Sequence, residues 1–408
     1  MSRVELPEFI REVFDDVARR NVLIACSLAV FAVGLVPHLL SPGLPSAQEA
    51  IRQRPEIQNL FLLLAFTSTA TILIGGLVSD IYRHRSLMVG GLGVMTLGSA
   101  LSIVVDDGTV FYVSNFAAVA AAGVVLAYGI GSVAIAYSGI PRATALGFVY
   151  AAFGVGAAAS PVILTLRPVT IPSTDPAVPP GFTFDTTLAY ALAAIASAVA
   201  LWAAYRFVPK IPGNLPASPK VVAGVTTWSL SILAVVSGIL GFIGPGDDRL
   251  PLILAVGGAL GLLVMTLLLR RAGDALGPLL LDRKAVSAAL AVGITIGFAQ
   301  AVPLMLLPVV FEFPLHYGMI FAILALIPFG LALVLAGPIS GILLRRFGPR
   351  GIMSSGTLAL GLANIAMALA LLYMTGSVRD FYAANPGESR VDLGVAHYLL
   401  FILPLVLI

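Results

Sequence analysis

The chain reads Gly75-Gly76-Leu77-Val78-Ser79-Asp80-Ile81-Tyr82-Arg83-His84-Arg85 and, much later, Gly341-Ile342-Leu343-Leu344-Arg345-Arg346-Phe347-Gly348-Pro349-Arg350. Each stretch ends a long apolar run with a glycine, three residues, a charged group and a short basic turn. A glycine at position 76 or 341 lets two helices approach closely. Asp80, at a helix end, can accept from free amides at a neighbouring helix's amino terminus, and the arginines suit phosphates or partner carboxylates. Such a cluster can form in one conformation and break in another. Gly76, Asp80, Arg83, Arg85, Gly341, Arg345, Arg346, Gly348 and Arg350 are therefore candidate members of a conformational gate.

The runs around these turns are of membrane size. Of 408 residues, 59% are hydrophobic and 11% charged, against roughly 25% charged in an ordinary soluble domain. Mean hydropathy is +1.02, which a single soluble core cannot absorb. Runs of about 20 apolar residues lie near 21–47, 57–79, 86–105, 109–137, 143–166, 186–207, 222–243, 250–270, 285–311, 317–344 and 351–375. A twelfth starts at Gly394 and runs 15 residues, Ile408 included, short of a hydrocarbon core of about 30 Å. The expectation is an all-α polytopic membrane protein whose chain, as given, stops inside a span. Residues 1–20 place Leu6, Phe9, Ile10, Val13, Phe14 and Val17 at helical spacing opposite Glu8, Arg11, Glu12, Asp15 and Asp16. That pattern suggests a short amphipathic helix lying on the cytoplasmic surface of the membrane.

With the amino terminus in the cytoplasm, 17 of the 23 Lys and Arg lie on the inner side, as the positive-inside bias requires. The expected location is the cytoplasmic membrane, crossed many times. The hydrophobic middle is almost free of fixed charge. Cys26 is the single cysteine, the four histidines are scattered, and no G-x-x-x-x-G-K-(S/T) loop occurs. No cofactor, metal site, nucleotide hydrolysis or nucleic-acid partner is expected, and the chain does not read as an enzyme.

The paired turns resemble the signature of the major facilitator superfamily, G-x-x-x-D-(R/K)-x-G-(R/K)-(R/K), which is echoed in the second half of its members. Gly76, Asp80 and Arg85 match in the first copy; Gly341, Arg346, Gly348 and Arg350 match in the second. The resemblance implies a helical bundle of two pseudo-symmetric halves that rock about a central site. Asp80 and Arg345 are 265 residues apart, roughly 50 more than twelve spans need at membrane-span lengths. Spans near 222–270 supply that excess, and Gly277-Pro278-Leu279-Leu280-Leu281-Asp282-Arg283-Lys284 is similar to the start of the second half in the fourteen-span drug:proton antiporter branch. The domain reading is a surface helix at 1–20, a six-span half at 21–210, two inserted spans at 211–275 and an incomplete second half at 276–408.

Antiporters of the superfamily carry a glycine-rich fifth helix, and Gly154, Gly156 and Pro161 match it, with a hinge implied at the proline. Members of the branch also place an acid in helix 1 and an arginine in helix 4. Here span 1 has no Asp or Glu and span 4 no Arg or Lys. Proton coupling would then fall to another group such as His38, whose unperturbed pKa near 6.5 suits exchange, or be absent. Neutral polar residues remain as candidates to line a cavity: His38, Thr67, Tyr128, Tyr150, Gln300 and Asn364. Such a lining suits neutral or amphipathic organic molecules. Residues 167–186, with five prolines, read as an extended surface loop.

The expected function is secondary active transport by a monomer embedded in the lipid bilayer. It would export small apolar or amphipathic compounds by alternating access, with protons as the candidate coupling ion. An uncoupled facilitator of a neutral metabolite, a lipid-modifying membrane enzyme and a non-transporting scaffold are the alternatives.

Overall fold

The computed structural model describes residues 13–52, 71–72, 75, 84–104, 108–166, 168–171, 181–184, 186–210, 227, 230–231, 234–235, 249–271 and 327–384. Its helices are α1 (Val17–Arg52), α2 (His84–Val104), α3 (Gly108–Ala136), α4 (Gly139–Thr165), α5 (Thr186–Phe207), α6 (Arg249–Arg271) and α7 (Ile327–Ala384). Seven segments within them are long and apolar enough to cross a membrane, two of these in α7, at Ile327–Leu344 and Arg350–Tyr373. This is a multi-pass membrane helical bundle. The expected spans near 57–79 and 285–311 and the start of a twelfth near 394 lie outside the described residues, apart from Thr71, Ile72 and Gly75.

Asp16 starts α1. Its Oδ1 accepts from the Ala18 amide at 2.8 Å and the Arg19 amide at 3.3 Å, satisfying donors that have no partner inside the helix. The helix then runs for 36 residues, about 54 Å at 1.5 Å per residue. It therefore outruns the apolar stretch that marks span 1 at both ends.

Residues 13–14 pack against the bundle. Val13 is fully buried, the Tyr137 hydroxyl donates to its carbonyl at 3.0 Å, and Phe14 stacks edge-on against Phe148 at 5.6 Å. Of the apolar face expected for a surface helix, Val13 and Phe14 are turned against the bundle and Val17 is 57% exposed. Phe9, Ile10 and the rest of residues 1–12 lie outside the described residues.

Within the bundle α1 packs on α3, α4 and α5, while α2 packs on α3 and α5. Val30, Leu35, Leu39, Met88, Leu92, Met95, Val125 and Tyr128 form the centre of this core. The α2–α3 contact is close because Gly98 has no side chain: a Cβ there would lie 2.6 Å from the Ser114 carbonyl oxygen. One turn away the pair is fastened by polar groups. Ser102 and Ser114 hydroxyls meet at 3.1 Å, and the buried Asn115 amide donates to Ser102 Oγ at 3.1 Å and to the Phe111 carbonyl at 2.8 Å. Leu97, Ile195 and Trp202 remain exposed on α2 and α5, as side chains facing lipid are.

The segment expected as an extended loop contains a two-stranded antiparallel ladder, β1 (Pro168–Ile171) with β2 (Gly181–Phe184), pairing Pro168 with Phe184 and Ile171 with Gly181. Val169, Thr170 and Ile171 are β-branched and favour an extended backbone. The prolines at 172, 176, 179 and 180 fall between the strands, where no ladder amide is needed.

Candidate functional site

Helix α4 is pressed between two others. Gly147 and Gly154 are seven residues apart and so share one face at 100° per residue; Gly156, two residues beyond Gly154, points the other way. On the first face lies α7, which presents Gly330, Gly337 and Gly341. A Cβ on Gly154 would stand 2.7 Å from the Gly330 carbonyl oxygen, and one on Gly330 would stand 2.6 Å from the Ala158 amide nitrogen. A Cβ on Gly147 would strike the Gly337 carbonyl oxygen, and one on Gly337 the Gly147 carbonyl oxygen. Gly341 completes the series, its Cβ position 3.1 Å from Thr144 Cα. As position increases along α4 it decreases along α7, so the two helices run antiparallel.

On the second face lies α1. Gly156 abuts the Phe31 carbonyl, with its Cβ position 2.9 Å from the Leu35 amide nitrogen, while Gly34 abuts the Phe153 carbonyl. Both seams are therefore backbone against backbone, the close approach that small residues permit between membrane helices. Among these contacts of the described residues there is no charged side chain. Pro161 is buried within α4, which runs four residues past it to Thr165.

The described gate candidates take different partners. Gly341 is in the seam with α4. Gly348 adopts φ 68° and ψ 169° and joins the two helical runs of α7, a left-handed conformation that glycine reaches without steric cost. The Arg346 guanidinium is exposed, 5.5 Å from the ring of Phe347 beside it, and Arg350 borders an open groove of about 740 Å³ along Met353, Thr357, Leu358 and Ile365. Arg85 stacks over Tyr205 of α5 at 4.5 Å. Gly76, Asp80, Arg83 and the side chain of Arg345 lie outside the described residues.

Of the cavity candidates, Tyr128 is fully buried and meets the His84 ring edge-on at 5.4 Å. Tyr150 is 45% exposed, and the Asn364 amide donates to the Leu360 carbonyl of its own helix at 2.9 Å. Thr67, Gln300 and the side chain of His38 lie outside the described residues. Sequence reasoning passes over His84, which is 5% exposed against α3, because it sits in a basic turn that reads as solvated. It also misses the facing glycines Gly34 and Gly147, for which the seven-residue interval from Gly147 to Gly154 is the available signal.

Residues 22–384 match the sequence profile of the Major Facilitator Superfamily. The chain belongs to that superfamily. Major facilitators are secondary transporters, and the likeness in fold agrees with this assignment. A mutant of the peptide transporter POT in complex with sulfate superposes with a TM-score of 0.57 at 14% identity, over 94% of this chain and 80% of that one. A POT family transporter in complex with a thioalcohol-conjugated peptide gives 0.55 at 15% identity, over 94% and 81%. Another, in complex with 5-aminolevulinic acid, gives 0.53 at 14% identity, over 94% and 81%. No curated protein matches the chain in sequence. Within this major facilitator, α4 and the first run of α7 make the tightest backbone approach between early and late parts of the chain among the described residues.

Proposed function

We propose that this major facilitator exports small apolar or amphipathic organic compounds across the cytoplasmic membrane by alternating access. Residues 21–210 and 276–408 act as the two halves and 211–275 as inserted spans, with the amino terminus inside. The observation that carries the reading is the glycine seam of α4 and α7. It joins helices from the two proposed halves without a salt bridge among the described residues, so its opening costs little electrostatic energy, and alternating access needs a contact that forms and parts in every cycle. Gly341, Arg346, Gly348 and Arg350, with Gly76, Asp80, Arg83, Arg85 and Arg345, form the gate. Gly154, Gly156 and Pro161 form the pivot of α4. Packing of Ser231 against Gly258, whose Cβ position is 2.7 Å from the Ser231 carbonyl oxygen, and against Gly261 supports pairing of the inserted spans, as the fourteen-span drug:proton antiporter branch would have them. His38, Thr67, Tyr128, Tyr150, Gln300 and Asn364 are the cavity residues of this reading.

A second reading is an uncoupled facilitator. It is favoured by the seven described spans, none of which holds an Asp or Glu, although a proton carrier in an antiporter is commonly a buried carboxylate. Flux of neutral and cationic fluorescent compounds in proteoliposomes, with and without a pH gradient, separates the two. Export accelerated by inward protons supports the antiporter. Downhill flux indifferent to the gradient favours the facilitator, and absence of flux for every compound overturns both.

A further inference from the structure

We propose that the cleft at the amino-terminal end of α1 holds the phosphate of an anionic phospholipid head group. The ends of α1, α3 and α5 border an open cleft of about 350 Å³. Arg19, Asn21 and Arg206 line it beside Val22, Ala136 and Phe207. Two guanidiniums and an amide across one small opening form a donor set for phosphate oxygens, which arginine meets with paired N–H groups. Among the described residues the carboxylate in contact is Asp16, 3.4 Å from Arg19 Nε, and both partners are about half exposed at 53% and 50%. A pair so exposed is weak, and it leaves the terminal amino groups of Arg19 for another anion.

A lipid fits better than a soluble phosphate for two reasons. The cleft opens where three membrane helices end together, at the level of the lipid head groups. Its wall also continues into aromatic side chains: Phe207 meets Trp202 edge-on at 5.9 Å, and Trp202 and Tyr205 are exposed on α5. Basic groups beside exposed Trp and Tyr are the composition of a membrane interface, and basic pockets between spans take anionic head groups. The proposal requires only that the chain sits in a bilayer, so it stands apart from any reading of transport.

Trp202 supplies the probe, because Trp228 is the only other tryptophan. In a Trp228→Phe background reconstituted in phosphatidylcholine, quenching of Trp202 by brominated phosphatidylglycerol is compared with quenching by brominated phosphatidylcholine. Preferential quenching by the anionic lipid is expected, with the preference falling about fivefold for each of Arg19→Gln and Arg206→Gln, the effect of one basic residue at a membrane surface. Arg19→Lys and Arg206→Lys should retain part of it, and Arg142→Gln, an exposed arginine outside the cleft, all of it. Equal quenching by both lipids overturns the proposal, as does equal loss in Arg142→Gln. If inorganic phosphate, against chloride at matched ionic strength, abolishes the preference, the lipid assignment fails in favour of a soluble phosphate. Helical circular dichroism and monodisperse elution of each variant separate lost binding from lost folding.

Discussion

Gly147 of α4 and Gly337 of α7 face each other reciprocally, each lying where a Cβ on it would strike the other's carbonyl oxygen. Two backbones in such contact leave no room for any side chain, and dispersion at this range falls off within an ångström of separation. The seam is therefore closed or parted, with little stable ground between.

Gly147→Val and Gly154→Leu should each destabilise this conformation, at the cost of overpacking, about 1–3 kcal/mol. We expect thermal unfolding in detergent to move down and flux in proteoliposomes to drop at least severalfold. Wild-type flux and melting in both variants would show that the seam does not close during the cycle.

Thr144→Cys with Gly341→Cys, in a Cys26→Ala background, should form a disulfide on oxidation. The Gly341 Cβ position is 3.1 Å from Thr144 Cα, which makes the two positions neighbours across the seam, and a shift of a few tenths of an ångström would bring cysteines there toward disulfide spacing. Oxidised protein should lose transport and regain it on reduction. Full transport by the cross-linked form would exclude parting of α4 from α7 as a step of the cycle.

Asn115→Leu removes two hydrogen bonds that fasten α3 to α2 and to its own preceding turn. The expected loss is about 1–3 kcal/mol, the worth of two hydrogen bonds made by a buried amide. Ser102→Ala should cost less, since Asn115 retains the Phe111 carbonyl. Denaturation of the two variants side by side tests the order, which the reverse ranking would contradict.

Asp16→Ala should weaken the start of α1 by about 1 kcal/mol, whereas Asp16→Asn should keep most of the cap. Amide hydrogen exchange at Ala18 and Arg19 reads this directly. Equal protection in all three proteins would mean that packing of Val13, and not the cap, sets where α1 begins.

Tyr137→Phe keeps the ring and deletes the donor to the Val13 carbonyl. A loss of about 0.5–1.5 kcal/mol is expected locally, seen as faster proteolysis around residues 13–16 with unchanged global melting. Unchanged cleavage would place the anchor of this segment in the Phe14–Phe148 contact.

Much of the bundle is legible from hydropathy alone. The sixth expected span, 186–207, coincides with α5, because Asp185 and the prolines before it end one environment and Pro209 ends the other. Span 1 shows the limit: hydropathy marks where the chain meets lipid, and α1 continues beyond it because Asp16 caps one end and Ala47, Gln48, Glu49 and Ala50 are sound helix formers near the other. The hairpin at 168–184 is obscured by prolines that occupy its turn and not the interior of its strands. In the candidate site, Gly154, Gly156 and Gly341 stand out as small residues on long helices. Which helix each one touches depends on how the helices are placed, and no local pattern encodes that. His84 and Tyr128 read as a turn residue and a cavity residue, yet burial makes them neighbours across α2 and α3.

The joint at Gly348 gives α7 a mechanical character. A single non-helical residue interrupts α7 between the run Ile327–Leu344, which carries the seam, and the apolar run Arg350–Tyr373, and a break that short has no spare length. In the proposed cycle, a displacement of Gly330 and Gly337 away from α4 would be handed on to Met353 and Thr357, the two spans working as the arms of one lever whose fulcrum is a glycine.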